Sequence, residues 1–381
     1  MGERLIKWKF CLISVNTMLR ENLSLTSGVK SLARNWRYCF SPRRKIGYLG
    51  WLGHNNLGDE AMYRVATKIF HDFEVLPFKD TPKMRLYEQL TNKRIFDAIM
   101  VGGGTLINSN GWLSKVEKAF NKNKKTFLLG VGVRNPAFWS SKGEKSCIPE
   151  WIDLLSQCKF VGVRGPLSLK SLEECNFFGA EITGDQVLSL TNEKIIKKKE
   201  GIKKIGINIG MTREKAWSSD EHVLDIVVRS VNVFIEKGWK VEFLPVWDQD
   251  INLIEEAVRR INKPVPIFKG FLSLEKTIRF LESCSIFIGE KLHSVILAMT
   301  TATPSIMLEY RPKCLDFMLS MDLEEFNIRI DKLSLDLLIE TMEKVVYQQN
   351  DLSEKIFQKA TYYKNIQREK CDLIREMILQ S

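Results

Sequence analysis

The chain has 381 residues, of which 44% are apolar, and a formal net charge of +11. That length leaves room for two domains at roughly 100–200 residues each, and the basic excess asks for an anionic counterpart such as a phosphorylated or carboxylated substrate. No apolar stretch approaches the roughly 18–20 residues needed to span a bilayer, and FCLISV at 10–15 is short for a leader.

In chain order, residues 1–44 carry Lys, Arg, Trp and Phe without a sustained period and end in SPRRK. They read as a basic N-terminal extension, either a loosely docked arm or a contact with a membrane surface. From Lys45 an alternation begins. KIGYLGW reads as a strand and 58–72 as a helix. FDAIMVGGG (96–104), TFLLGVGV (126–133), FVGVRG (160–165) and AEITGD (180–185) are apolar runs ending in glycine or charge. Short apolar runs with helical stretches between them predict a parallel sheet covered on both faces.

The lysine-rich segment NEKIIKKKEGIKK (192–204) then separates two halves. No aromatic residue interleaves with its lysines, so it reads as a solvated linker and no nucleic-acid partner is expected. The rhythm restarts with strands over 204–210, 240–247, 265–271, 285–290 and 304–310, and helices over 220–237, 250–262, 274–283 and 292–302. The tail to Ser381 reads as mainly helical. The expected division is an extension (1–44), a first Rossmann-like domain (45–191), a linker (192–203), a second such domain (204–325) and a helical segment (326–381). The fold class is α/β, with two Rossmann-like domains facing across a cleft. Ligands in such sheets bind at the carboxyl ends of the strands.

Four clusters lie at those ends. GWLGHNNLGDEAM (50–62) offers a polar turn with Asn55 and Asn56, then Asp59 at a helix start, where a carboxylate suits the dipole. It lacks GxGxxG spacing, so no nicotinamide cofactor is expected. VGGGTL places Gly102, Gly103 and Gly104 where backbone must approach a ligand or a neighbouring loop closely. VGVRGPLS ends a strand on Arg164, with Ser168 in the following turn. That arginine suits bidentate contact with phosphate or carboxylate, or a structural ion pair with a residue such as Asp185. Near 290, SIFIGEKLHSV puts Glu290, Lys291 and His293 between a strand and a helix, and a histidine there can act as general acid or base. Asp248 and Asp250 read as capping or acceptor-binding carboxylates. His54, His71 and His222 read as structural. No metal site is expected, because neither the histidines nor the eight scattered cysteines have ligand spacing. Those cysteines read as reduced thiols of a cytoplasmic protein.

The motifs GHNNLGDEAM, VGGGTL, VRGPLS, ITGDQVLSL and KLHSVILAMTTATPSIMLEYRPK occur in the order and at about the spacing of polysaccharide pyruvyl transferases. The resemblance runs from about Lys45 to about Lys313. It implies a GT-B-like fold and transfer of the enolpyruvyl carbons of phosphoenolpyruvate onto a sugar as a ketal, with phosphate released and no cofactor. Carried over, Arg164, Lys291, Leu292 and His293 contact the donor. Glu290, Ser168, Asp185, Tyr310 and Lys313 join Asn55, Asn56 and the three glycines as substrate-binding residues. His293 would protonate the methylene carbon and Asp59 would take the proton of the sugar hydroxyl. One departure stands out: the family usually has Arg where this chain has Lys291, a point charge instead of a planar fork. The implied partners are phosphoenolpyruvate and a saccharide, free or lipid-linked, with the enzyme then held near the inner membrane face by its basic arm. The alternatives are a GT-B glycosyltransferase using a nucleotide-sugar and a non-catalytic glycan-binding relative.

Overall fold

The runs Ala98–Gly102, Thr126–Val133 and Phe160–Val163 are buried at every position. Strands of that kind need cover on both faces. They have it in the computed structural model, which describes residues 42–192, 203–212 and 216–380. Nearly all of the N-terminal extension and of the lysine-rich linker lies outside the described residues.

Two compact units are distinguished. The smaller comprises residues 1–43 and 80–95. Its described part includes a ten-residue helix, Pro82–Thr91, whose N-cap Thr81 accepts from the Met84 amide. The larger comprises residues 44–79 and 96–381 and holds two sheets.

The first sheet contains β1 (Lys45–Leu49), β2 (Glu74–Pro77), β3 (Ala98–Gly102), β4 (Thr105–Ile107), β5 (Thr126–Val133), β6 (Phe160–Val163) and β7 (Glu181–Ile182). Their order is β2-β1-β3-β5-β6-β7, with β4 alongside β5. The second contains β8 (Lys204–Asn208), β9 (Lys240–Phe243), β10 (Ile286–Gly289), β11 (Ser305–Glu309) and β12 (Asn327–Arg329), ordered β12-β11-β10-β8-β9. Every pairing between these strands is parallel, as the apolar runs predict.

Two expected elements differ. Residues 265–271 make only a single bridge, Phe243 to Ile267, in place of a strand. Pro264 and Pro266 flank Val265 there, and proline has no N–H for a ladder. Residues 327–329, expected within the helical tail, form β12. Three residues are too few to show a period, and β12 forms only because β11 offers its edge.

Six helices position the site. Helix α1 (Leu57–Ile69) carries Leu57, Ala61, Met62, Val65 and Ala66 on its buried face. Helix α2 (Pro166–Glu173) follows β6, and α3 (Asp220–Glu236) precedes β9. Helix α4 (Leu292–Met299) follows β10 and is apolar nearly throughout, as a helix with no solvent face must be. Helix α5 (Lys313–Ser320) follows β11. Helix α6 (Gln349–Leu379) is 31 residues long and returns to the first sheet, where Cys371, Ile374 and Ile378 pack with Ile46, Phe70 and Phe127. Leu57, Ala61 and Met62 of α1 join the core of the second sheet, with Ile205, Phe287 and Leu292. The two sheets are therefore fastened by buried apolar surface next to their strand ends.

Candidate active site

The loops after β1, β3, β5 and β6 of one sheet and after β9, β10 and β11 of the other enclose a cavity of about 490 Å³. Asn56, Asp59, Gly104 and Arg164 line it from the first half, and Lys291, Leu292, His293, Tyr310 and Lys313 from the second. Six of its lining residues are basic (Arg134, Arg164, Lys291, His293, Arg311, Lys313), against two acidic ones, Asp59 and Glu144. A second cavity of about 1200 Å³ adjoins it and reaches toward Trp217 and Asp220. Lys291, Tyr310, Arg311 and Lys313 line both.

Buried Asp185 organises the first cavity. Arg164 Nε donates to Asp185 Oδ2 at 2.9 Å, and the two side chains are 1% and 0% exposed. His293 Nε2 lies 3.6 Å from the same oxygen. The Val187 amide donates to Oδ1 at 3.0 Å. Burial alone would raise the Asp185 pKa, but His293, Arg164 and that amide overcome it and bring it down to about 2. Helix α6 fixes the loop: Gln367 Nε2 donates to the carbonyls of Thr183 and Asp185 at 2.9 and 2.8 Å.

The ion pair anticipated for Arg164 is present, yet it leaves part of the guanidinium unused. Nη1 donates to Thr105 Oγ1 at 3.3 Å, while Nη2 is buried and has no partner. His293 Nε2 is also buried and without a hydrogen bond. Such atoms are uncommon in folded proteins, and at a cavity they point to a ligand.

His293 is the one residue of α4 that is not fully buried. Its ring lies against the first turn of α1. A methyl group at Gly58 would stand 2.2 Å from His293 Nδ1. Gly58 is thus the seat of the imidazole, a role its helical position conceals. Asn56 caps the same helix by accepting from the Gly58 amide at 3.0 Å. The Leu57 amide donates to the Val246 carbonyl at 2.8 Å, which ties the start of α1 to the loop after β9.

Lys291 is held from below. Its Nζ donates to the Met211 carbonyl at 2.6 Å and lies 3.8 Å from Asp250 Oδ1. Its amide donates to Asn208 Oδ1 at 3.0 Å. Gly210 makes the room, because a Cβ there would lie 2.2 Å from Asp250 Oδ1 and 2.3 Å from Lys291 Cε. Glu290 is buried beneath and accepts from the Gly210 amide at 2.9 Å. Burial, opposed mainly by Lys291, raises its pKa to about 8 and that of Asp250 to about 6. Glu290 and Asp185 therefore support the cavity without lining it.

Other expected residues fall elsewhere. Ser168 Oγ donates to Asp316 Oδ2 at 2.6 Å and accepts from the Val133 amide at 2.9 Å. Asp316 also accepts from the Leu167 and Ser168 amides, so a carboxylate of α5 already occupies the N-terminus of α2. Asn55 donates to Asp248 Oδ2 at 3.2 Å and lines neither cavity. Gly102 and Gly103 are spent on packing: a Cβ would meet the Tyr48 ring at 2.4 Å or Met62 Sδ at 2.1 Å. Only Gly104 of the three faces the cavity.

Sequence reasoning missed Arg134, Arg311 and the tryptophans. Arg134 pairs with Glu144 at 2.6 Å and stacks on Trp139 at 3.6 Å. A signal existed, since VGVR occurs at 131–134 and again at 161–164, each time at a strand's carboxyl end. Trp51 and Trp247 meet edge-on at 5.6 Å, and Trp247 Nε1 donates to the His54 carbonyl at 2.9 Å. Among the described residues, no group of three or more His, Cys, Asp or Glu could hold a metal ion, and no helix is long and apolar enough to cross a membrane.

A family model for polysaccharide pyruvyl transferase matches residues 56–312. No curated protein matches the chain in sequence. Among solved structures, the chain resembles a UDP-GlcNAc 2-epimerase from Neisseria meningitidis bound to UDP-GlcNAc, with TM-score 0.55 and 10% identity, covering 89% of this chain and 100% of that one. It also resembles a glycosyltransferase from Rickettsia africae, with TM-score 0.51 and 12% identity over 90% of this chain and 100% of the other. At such identities the likeness establishes the fold, a GT-B-like pair of parallel sheets.

Proposed function

The chain belongs to the polysaccharide pyruvyl transferase family, and from that premise we propose that it moves the pyruvyl carbons of phosphoenolpyruvate onto a pair of sugar hydroxyls as a ketal, releasing phosphate. The observation that carries this reading is the pair of buried nitrogens without a hydrogen bond, Arg164 Nη2 and His293 Nε2, flanking Asp185 in a cationic cavity. Phosphoenolpyruvate carries a phosphate and a carboxylate, so it needs several cations in one pocket, and Arg164 and Arg311 offer planar donors while Lys291 offers a point charge. Its methylene carbon must gain a proton before C2 can accept an oxygen, and His293 is the acid we assign to that step. Asp59 lines the cavity beside them. Burial raises its pKa against the pull of His293, Lys313 and Arg164.

The acceptor is a saccharide. A lipid-linked form would use the net charge of +11 to hold the enzyme at an anionic membrane face. The test is phosphate release from phosphoenolpyruvate with and without a panel of aryl and lipid-linked glycosides. Acceptor-dependent release with a pyruvate-sized mass gain on the sugar is expected. Calorimetric binding of a nucleotide-sugar with no response to phosphoenolpyruvate would overturn the reading in favour of a glycosyltransferase.

Gly58→Ala gives an independent check on the acid. The added methyl would stand 2.2 Å from Nδ1 and 2.5 Å from Cβ of His293, so the side chain must move aside. Alanine suits a helix better than glycine, so the fold should persist. A displacement of this size should lower kcat about 100-fold with donor affinity little changed. A Gly58→Ala enzyme with wild-type kcat would detach His293 from the chemistry.

A further inference from the structure

We propose that Lys313 is the general base that takes the proton of the attacking acceptor hydroxyl. This rests on the phosphoenolpyruvate reading and deepens it. The first cavity holds Arg164 and His293 and so takes the donor. The second, more than twice as large, reaches Trp217 and Asp220 and holds neither, which leaves it for the saccharide. A base for the acceptor must touch both spaces, because the hydroxyl comes from one and the electrophilic carbon lies in the other. Asp59 lines only the donor cavity, so it does not meet that condition.

Few groups on the shared wall can accept a proton. Arg311 stays charged in any protein. Burial holds the Tyr310 phenol well above its ordinary range, so it is no phenolate. Lys291 is committed as a donor to the Met211 carbonyl and faces Asp250. Lys313 has neither a hydrogen-bond nor an ion-pair partner among the described residues, and its Nζ stands 5.0 Å over the Tyr310 ring. The charged and titratable groups acting on it are Arg311, Arg164 and Lys291, with Cys314 next to it in sequence and Asp59 across the cavity. Burial first, then the three cations, bring its pKa down to about 7, where an amine serves as a base at working pH.

The step balances without any outside reagent. The His293 imidazolium gives its proton to C3, and the first hydroxyl oxygen bonds to C2 while its proton passes to the neutral Lys313 amine. The C2–O bond to phosphate then breaks. The second hydroxyl bonds to C2, and its proton leaves with the phosphate as hydrogen phosphate. Lys313 has gained the one proton that His293 lost, and solvent exchange restores both.

The experiment compares wild type with Lys313→Arg and Lys313→Ala, full chains, using an acceptor from the panel above. Arginine keeps the cation and cannot act as the base. Lys313→Arg should bind phosphoenolpyruvate within about threefold of wild type by calorimetry while kcat falls about 10²–10⁴-fold. Lys313→Ala should weaken binding as well. The wild-type kcat should fall on the acid side of about pH 7, and the residual activity of Lys313→Arg should lack that limb. A Lys313→Arg kcat within tenfold of wild type, with the limb kept, overturns the base assignment alone. Should the arginine variant fail to bind donor, the wild-type profile decides, and absence of the limb overturns the assignment. A wild type that turns over no acceptor in the panel overturns the phosphoenolpyruvate reading and the base with it.

Discussion

Replacing Arg164 with leucine is expected to lower folding stability by about 3–5 kcal/mol, the usual cost of leaving a buried charge without its partner, and to abolish measurable donor binding. Asp185 is fully buried and would lose the guanidinium 2.9 Å away. The pH dependence of the loss follows from linkage. In the wild type, Asp185 is held at about 2, so its contribution is complete above the unfolded carboxylate range and fades as pH falls toward 2. In the variant, burial gains on the remaining partners and the Asp185 pKa rises. Protonating it then relieves the unpaired charge. The stability gap between the two proteins should therefore be widest near neutrality and narrow on acidification toward pH 4. Urea unfolding at several pH values measures this. A gap that stays constant, or a Arg164→Leu protein that binds phosphoenolpyruvate like wild type, would remove Arg164 from the donor clamp.

His293→Gln is expected to lower kcat about 10²–10⁴-fold, the range for loss of a positioned acid, while phosphoenolpyruvate still binds within about fivefold. The contrast with Arg164 is the informative part. On the proposed roles, Arg164 would grip the ground state and His293 would act when C3 gains its proton, so the loss of the first should appear in affinity and that of the second in kcat. Glutamine keeps an N–H donor to face Asp185, 3.6 Å from the imidazole in the wild type, which limits the structural cost. Phosphate-release kinetics with parallel calorimetry separate the two effects. Retention of near-full transfer by His293→Gln would remove the acid assignment.

The parallel sheets and the residues at their strand ends were legible in the sequence for local reasons. Thr126–Val133 is apolar at all positions but its first, which allows only a doubly covered strand. Arg164 and His293 follow such strands directly, so their arrival at carboxyl ends was readable. The short strand Asn327–Arg329 was not legible, because three residues show no period. The run at 265–271 misled for the opposite reason. Its hydrophobicity reads as strand, while Pro264 and Pro266 remove the donors that a ladder needs.

The sequence by itself determined which residues arrive at the strand ends, because strand and helix periods and the glycine turns after them are local properties. Tertiary structure alone decided which of those residues serve the cavity and which serve the frame. Asp316 reaches back across 148 residues to bond Ser168 and cap its helix. Gly102 and Gly103 yield to Tyr48 and Met62, while Gly58 yields to His293, and nothing in three similar glycines foretells that difference. Gln367, from a tail outside the recognisable motifs, holds the loop of Asp185. Each of these contacts joins segments far apart in the chain, and its energy depends on a partner that no local pattern encodes.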